Sequence, residues 1–481
     1  MLTLLLVLIP FLGGLLSFGM KGKSSRIFAF LISLGTLAIS LVTLFVWRGN
    51  PDSLQIDVPW ISELGSRFHL GMDGMGAMLM LLTAISYVVI FLSSWNHDFP
   101  KSNSFFGLML LTEAGLMGVF SAYDALLFYM FWELVLIPVY FLSSIWGGER
   151  RIQATFKFFV YTFLGSLFML VGIIYLYLQT PGTHSFEWSA FRHLSLSNSV
   201  QVGLFLLLFV AFAIKMPMFP FHTWQPDTYE QAPTPVTMVL SAVMVKMGLF
   251  GVIRWVLPIV PAGAAYWAHY VVVLSVIGIV YASCLAIVQT DLKRLFAYAS
   301  IAHMGLMCAT LFSNSEIGIQ GVMVQMFNHG IIILGLWIFV EILEQRLETR
   351  NIRDLGGLAT IAPKLAIAVV IVCLGNVALP LSSGFVGEFL MFSGLYLYSP
   401  WLMAVAGLGI ILSAVYILGM IQKSLYGKSN EITAQLKDLK PNEWMAFAIV
   451  IALIVVFGVY PKPMLDLVHQ TTSTLMAVTG N

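Results

Sequence analysis

The chain is a succession of apolar stretches, each about as long as a bilayer is thick, joined by short polar links. A hydrocarbon core ~30 Å across takes ~20 apolar residues in a helix to cross. Hydropathy divides the 481 residues into fourteen such stretches, at roughly 2–20, 26–47, 73–95, 104–121, 124–145, 154–178, 200–224, 234–258, 264–288, 292–313, 317–343, 362–398, 402–424 and 443–461. Inside hydrocarbon a backbone must satisfy its own polar groups, which leaves helices and closed barrels. Runs this long read as helices. The expected fold is therefore all-α and polytopic, a single transmembrane domain over 1–481 with no separate soluble unit. With 59% hydrophobic and 10% charged residues, no soluble core could hide this much apolar surface. The polar stretches 48–72, 179–199 and 425–442 are expected to be loops with short hairpins or surface helices.

The charges test the span count. Of the 24 Lys and Arg, seventeen fall in links or at span ends on one side of a fourteen-span chain and five on the other, leaving Lys215 and Lys246 within spans. Basic links mark the cytoplasm, so both termini are expected outside it. A net charge of +1 offers no electrostatic footprint for nucleic acid. Cys284, Cys308 and Cys373 lie in apolar runs without metal or redox spacing. There is no P-loop and no GxGxxG after a strand, which argues against a nucleotide site. Lys21, Lys23 and Arg26 follow the first apolar stretch rather than precede it, the reverse of a secretory signal, so that stretch reads as a first span.

Lys215 is the residue least expected in such a chain. It ends the apolar run Val202–Ile214 and is followed at once by Met216-Pro217-Met218-Phe219-Pro220. A charge at bilayer depth is costly and needs a partner or water, and prolines that break a helix there need protein or water to re-satisfy the backbone. A second break, with Pro380 and Gly384, lies in the twelfth span. Pro217 and Pro380 are 163 residues apart, close to the separation of the starts of spans four and nine. A shift of five helices inverts the second unit, so the expected plan is two inverted five-helix repeats, helices 4–8 (104–258) and 9–13 (264–424). These are flanked by helices 1–3 (1–103) and by helix 14 with the C-terminus (443–481), with helices 7 and 12 broken. Inverted repeats with matching discontinuous helices are a transporter architecture.

Glu113, Glu133, Lys215, Lys246 and Glu388 lie within apolar spans, accompanied by His222, His303 and His329. No two lie three or four residues apart on one helix, so no metal pattern arises. A string of carboxylate, amine and imidazole suits proton relay instead. Glu133 and Lys215 are expected partners whose separation would set whether the amine keeps its proton, although a buried Glu–Lys pair can also simply fix helix register. Lys246 is the candidate next carrier and Glu388 the exit group. Glu113 and the histidines divide between relay and structural hydrogen bonding, and Asp73 and Asp124 read as caps.

Several motifs then carry a resemblance. Phe131-Trp132-Glu133-Leu134, Ala213-Ile214-Lys215-Met216-Pro217, Phe221-His222-Thr223-Trp224, Gln231-Ala232-Pro233-Thr234-Pro235-Val236, Val245-Lys246-Met247-Gly248 and Asp291-Leu292-Lys293-Arg294 resemble the antiporter-like membrane subunits of respiratory complex I. Ser383-Gly384-Phe385-Val386-Gly387-Glu388-Phe389, with glutamate in the twelfth helix, resembles the subunit M (chain 4) branch. Leu379-Pro380-Leu381-Ser382 departs from the usual pattern at the second break.

The resemblance implies a proton-translocating subunit of NADH:quinone oxidoreductase in a bacterial inner membrane. Glu133–Lys215 would be its ion pair, Lys246 its central lysine, Glu388 its terminal carboxylate, and His303 and His329 its central-axis histidines. It further implies subunits L and N and lipids as neighbours. No cofactor or metal is expected on this chain; NADH, FMN, iron–sulfur clusters and quinone would belong to partner subunits. A cation/proton antiporter subunit and an inert scaffold are the competing readings.

Overall fold

A helix leaves its first N–H groups unpaired, and in a bilayer few waters are at hand to take them. In the computed structural model, which describes residues 1–49 and 51–479, short polar side chains do so instead. Asp73, Asp124, Asp291 and Ser315 each accept a hydrogen bond from a first-turn N–H of the helix that follows.

The helices are α1 (Leu2–Ser17), α2 (Lys23–Gly49), α3 (Gly74–Ser93), α4 (Ser102–Ser121), α5 (Ala125–Trp146), α6 (Arg151–Gln179), a short α7 (Trp188–Arg192), α8 (Asn198–Lys215) and α9 (Trp224–Gln231). Then come α10 (Thr234–Val256), α11 (Pro261–Val288), α12 (Leu292–Leu311), α13 (Glu316–Leu347), α14 (Pro363–Asn376), α15 (Ser383–Tyr398), α16 (Pro400–Ser424), α17 (Pro441–Val459) and α18 (Lys462–Thr479). Among the described residues, eleven helices are long and apolar enough to cross a membrane. Fourteen spans are expected from hydropathy. The difference lies in α1 and the α14–α15 pair, which are short, and in α12, where Lys293, Arg294 and His303 dilute the apolar character.

The first polar stretch contains the hairpin β1 (Ile56–Ile61) and β2 (Ser66–Leu70), and the second contains α7. The two are clasped by His69 Nδ1 and Glu187 Oε2 at 2.7 Å. Burial works against protonation of His69, but the Glu187 carboxylate more than offsets it and holds the imidazole pKa above its usual value.

Burial sorts the helices. α10 and α13 are wholly enclosed and α3 nearly so, whereas α2 and α17 turn most of their surface outward. The enclosed helices carry Lys246 and His329, which keeps those polar groups away from lipid.

Both breaks are satisfied internally. After α8 ends at Lys215, Met218 N–H donates to Ala213 O, and Trp224 Nε1 donates to Ile214 O at 2.9 Å. The second break runs from Val377 to Ser382, with Ala378 and Leu381 at positive φ. It therefore begins three residues before Pro380 and closes before Gly384, which lies in the first turn of α15. A Cβ on Gly384 would collide with Gly375 O, so only glycine lets α15 start so close to the end of α14. Asn328 Nδ2, from α13, donates to Ser383 O at 2.7 Å across this break.

Candidate functional site

Two π-helical turns, Leu240–Met244 and Val252–Val256, flank Lys246 in α10. Such turns widen a helix and redirect its carbonyls. Lys246 Nζ donates to one of them, Ser241 O, at 2.5 Å, and lies 2.9 Å from His329 Nδ1 of α13. His329 and His303 of α12 have ring centroids 5.4 Å apart. His303 Nδ1 in turn lies 3.2 Å from Glu388 Oε1 of α15. Four helices thus bring amine, two imidazoles and a carboxylate into one sequence of neighbours, and all four side chains are at least about nine-tenths buried.

Each member of this sequence can take up and release a proton. The second ring nitrogens, His303 Nε2 and His329 Nε2, have no protein partner, nor has Tyr416 Oη. Tyr416 and Ser413 line a cavity of about 20 Å³ against His303 and Glu388, which is room for about one water.

The first half is arranged differently. Glu133 and Lys215, expected to pair, are not within 4.0 Å of one another, and Lys215 Nζ instead faces the Trp132 ring, 5.1 Å from its centroid. The helix period explains this. Glu133 shares its face of α5 with Met130 and Ile137, both more than half exposed, and its carboxylate lies beside Tyr129 and Ser166, with Lys215 acting on it only through space. Glu133 Oε1 and Lys215 Nζ both lack protein partners. A Cβ on Gly248 would meet Phe212 O at 2.7 Å and Met216 N at 2.8 Å, so the end of α8 rests directly on α10 beside Lys246.

The remaining candidates stand apart. His222 is buried in the α8–α9 break against Phe219 and Tyr281, with Nδ1 unpartnered. Glu113 is fully buried and accepts from Ser33 Oγ at 3.3 Å, with no ion-pair partner among the described residues. Asp73 and Asp124 cap α3 and α5 as expected, but Asp73 also pairs with Arg254 at 2.8 Å. Arg254, near the end of the 234–258 span, is buried at the end of α10 over Tyr123.

Sequence reasoning misses a charge network at the opposite end of the bundle. Arg294 binds Asp227 at 3.1 Å and Glu230 at 2.7 Å. Lys293, nearly fully buried, binds Glu344 at 3.0 Å, and Arg350 binds Glu344 and Asp291. Thr234 Oγ1 donates to Glu344 as well. A cavity of about 430 Å³ lined by Thr234, Lys293, Glu341, Glu344 and Arg350 opens here. Glu344 gives little signal in the sequence because it lies just past the apolar run 317–343, where acids are ordinary. In the hairpin region, Asp57, His69 and Glu187 bring donor atoms within 4.8 Å of one another. Arg67 on Asp57 and the His69–Glu187 contact already balance that set.

Residues 122–415 match the family described as NADH:quinone oxidoreductase/Mrp antiporter, transmembrane. NADH-quinone oxidoreductase subunit M of Rickettsia prowazekii is 36% identical, over 99% of this chain and 98% of its own length. The chain belongs to the subunit M family of antiporter-like complex I membrane subunits. Subunit M of Escherichia coli is 34% identical over 98% of this chain and 96% of its own. A chain of respiratory complex I from Thermus thermophilus superposes with a TM-score of 0.93 at 30% identity, with both chains fully covered. The Mrp complex from a Dietzia species shares the fold, with a TM-score of 0.84 at 22% identity over 98% of this chain and 52% of that one. Family membership also fits a chain that is one part of a multi-subunit membrane assembly.

Proposed function

We propose that the chain moves protons from the cytoplasm to the outside as a membrane-arm subunit of NADH:quinone oxidoreductase, driven by quinone reduction elsewhere in the complex. One observation carries this reading: Lys246, His329, His303 and Glu388 form consecutive neighbours through enclosed helices. An inert scaffold has no use for such a sequence, since buried ionisable groups cost stability unless function repays them.

Protons enter on the side of α9, the start of α10 and the Lys293–Glu344 network, pass Lys246, and leave past Glu388. The separated Glu133 and Lys215 act as the electrostatic switch at the first break. Fourteen spans, counting α8–α9 and α14–α15 as one broken helix each, support both termini outside the cytoplasm and two inverted repeats. NADH, FMN, iron–sulfur clusters and quinone belong to partner subunits, and this chain binds none of them. Subunits L and N are the neighbours in a bacterial inner membrane.

The test is the Glu388→Gln variant of the whole complex in proteoliposomes. An amide at this position keeps the side chain's shape but accepts no proton, so proton uptake per NADH should fall while the complex stays assembled. An unchanged ratio in the assembled variant removes the exit role. Sodium-dependent proton movement without NADH would support the antiporter reading instead.

A further inference from the structure

Lys215 Nζ is enclosed and makes no hydrogen bond within the chain. An ammonium at this depth needs a partner. The Glu133 carboxylate reaches it only through space, being attended by Tyr129 and Ser166. What the ammonium does meet is the face of Trp132, with Nζ 5.1 Å from the ring centroid. An indole face carries the negative end of the ring quadrupole and draws a cation more strongly than Tyr or Phe does. Each half of the separated pair thus has a resting place of its own.

The ring is held from both sides. Trp132 is 2% exposed and meets Phe212 edge to face at 5.5 Å and Phe128 at 5.7 Å. Phe128, one turn earlier on α5, leans on Trp255 of α10 at 5.1 Å. Phe212, three residues before Lys215 on α8, lies against Gly251 of α10, where a Cβ would overlap its ring. The indole is therefore fixed, whereas the ammonium ends a flexible four-carbon stem. Trp132 and Glu133 are successive residues of α5 and point about 100° apart around it. One lysine side chain can exchange between them without either helix moving.

The magnitudes show why a ring suits the open position better than an alkane or an acid. At ~4 Å and an effective dielectric of ~20, closure on Glu133 is favoured roughly 700-fold over an ammonium with no partner. A desolvated cation–π contact takes back about thirtyfold of that. The bias of about 25-fold that remains is of the size that 100 mV exerts on one charge, about fortyfold. With an apolar side chain at this position the pair would stay shut. With a second carboxylate the ammonium would have no reason to prefer Glu133.

We propose that the face of Trp132 is the seat of the Lys215 ammonium in the open state of the Glu133–Lys215 switch, and that the strength of this contact sets how readily the switch opens. Trp132 is then a positioning residue: it acts through Lys215 and handles no proton. The inference rests on the proton-translocating reading and gives the switch its second position.

The experiment places tryptophans carrying one to four ring fluorines at position 132 alone, in the assembled complex. Fluorine drains negative charge from the ring face and hardly alters its shape, so packing stays constant while the cation–π contact weakens. Coupled NADH:quinone turnover should fall in steps along the series, by about tenfold in all. The same series at Trp401, which is 84% exposed, should leave turnover unchanged. In a density map of the tetrafluoro complex, Lys215 Nζ should have left the ring for Glu133. Flat turnover across the series, or an ammonium still seated on the tetrafluoro ring, overturns the proposal. A loss confined to Trp132→Leu, with the fluorinated series flat, marks the indole as packing and overturns it too; should Trp132→Leu fail to assemble, the fluorinated series decides alone. Lys246→Met separates the two claims. If it leaves pumping intact, the proton-translocating reading falls, whereas if it stops pumping and fluorination changes nothing, only the seat falls.

Discussion

Lys246 offers the sharpest test, because two substitutions separate its charge from its chemistry. In Lys246→Met the thioether fills the volume of the amine but leaves Ser241 O and His329 Nδ1 without their partner at 2.5 and 2.9 Å. At ~1–3 kcal/mol for each unpaired group, the loss is ~2–6 kcal/mol. Against it stands the relief of several kcal/mol from no longer burying an ammonium. The two nearly cancel, so the complex is expected to assemble. Its transport should not survive. A positioned acid–base group contributes ~10²–10⁴-fold to proton transfer, which leaves at most about 1% of coupled turnover.

Lys246→Arg keeps the positive charge, but a guanidinium does not release its proton in a protein. Exchange of the proton at this site therefore predicts that Arg fails as completely as Met. The assay is NADH-driven proton uptake by reconstituted complex, with assembly checked by native gel. Near-normal pumping by Lys246→Arg would refute the reasoning, since a fixed charge would then suffice.

Other positions give distinct outcomes. Arg254→Leu strips Asp73 of its partner; losing half of a buried pair costs ~3–5 kcal/mol, and because Asp73 is 23% exposed the effect should lie near the lower end, read as a fall in thermal stability. Adding Asp73→Asn to that variant should recover part of the loss. The raised pKa of His69 has a definite sign: its contribution is fully present below the unfolded imidazole value of about 6.5 and fades as pH rises through the higher folded value. Hairpin protection in hydrogen exchange should therefore fall across that window, and His69→Gln should flatten the dependence. Glu113, which accepts from Ser33 and has no ion-pair partner among the described residues, should tolerate Gln with less than about a threefold change in turnover, measured beside Glu388→Gln in one preparation.

How much of this is legible in the sequence depends on whether the signal is local. The break after Lys215 is, because Pro217 and Pro220 announce it and the apolar run on either side fixes its depth. The caps Asp73 and Asp124 are readable for the same reason. The amphipathic helix α18 is present in the spacing of Met464, Leu467, Val468, Thr471 and Leu475, yet it lies beyond the last apolar run, where hydropathy does not mark it. The Lys246–His329 contact spans 83 residues and the His303–Glu388 contact 85. Nothing in either local sequence names its partner, since which helices become neighbours is decided by packing over the whole bundle. The separation of Glu133 from Lys215 is not legible either, because apolar neighbours such as Met130 and Ile137 look alike in sequence whether they face lipid or the bundle, and the attraction of opposite charges suggests a closed pair.

That open pair has an energetic meaning. At ~4 Å and an effective dielectric of ~20, a carboxylate and an ammonium attract by ~4 kcal/mol, more than the ~2.3 kcal/mol that a proton needs against 100 mV. Closing Glu133 on Lys215 would thus hold the ammonium and shift the field at Lys246, across the contact that Gly248 makes with the end of α8. Opening it, as in this arrangement, would withdraw that field. Glu133→Gln can make no such closure while leaving Lys246, His329, His303 and Glu388 where they are. Coupled turnover should then fall by about tenfold or more in an assembled complex whose density at those four side chains is unchanged. If turnover fell only together with displacement of Lys246 or His329, Glu133 would be a strut for the helices and the switch would have to be sought elsewhere.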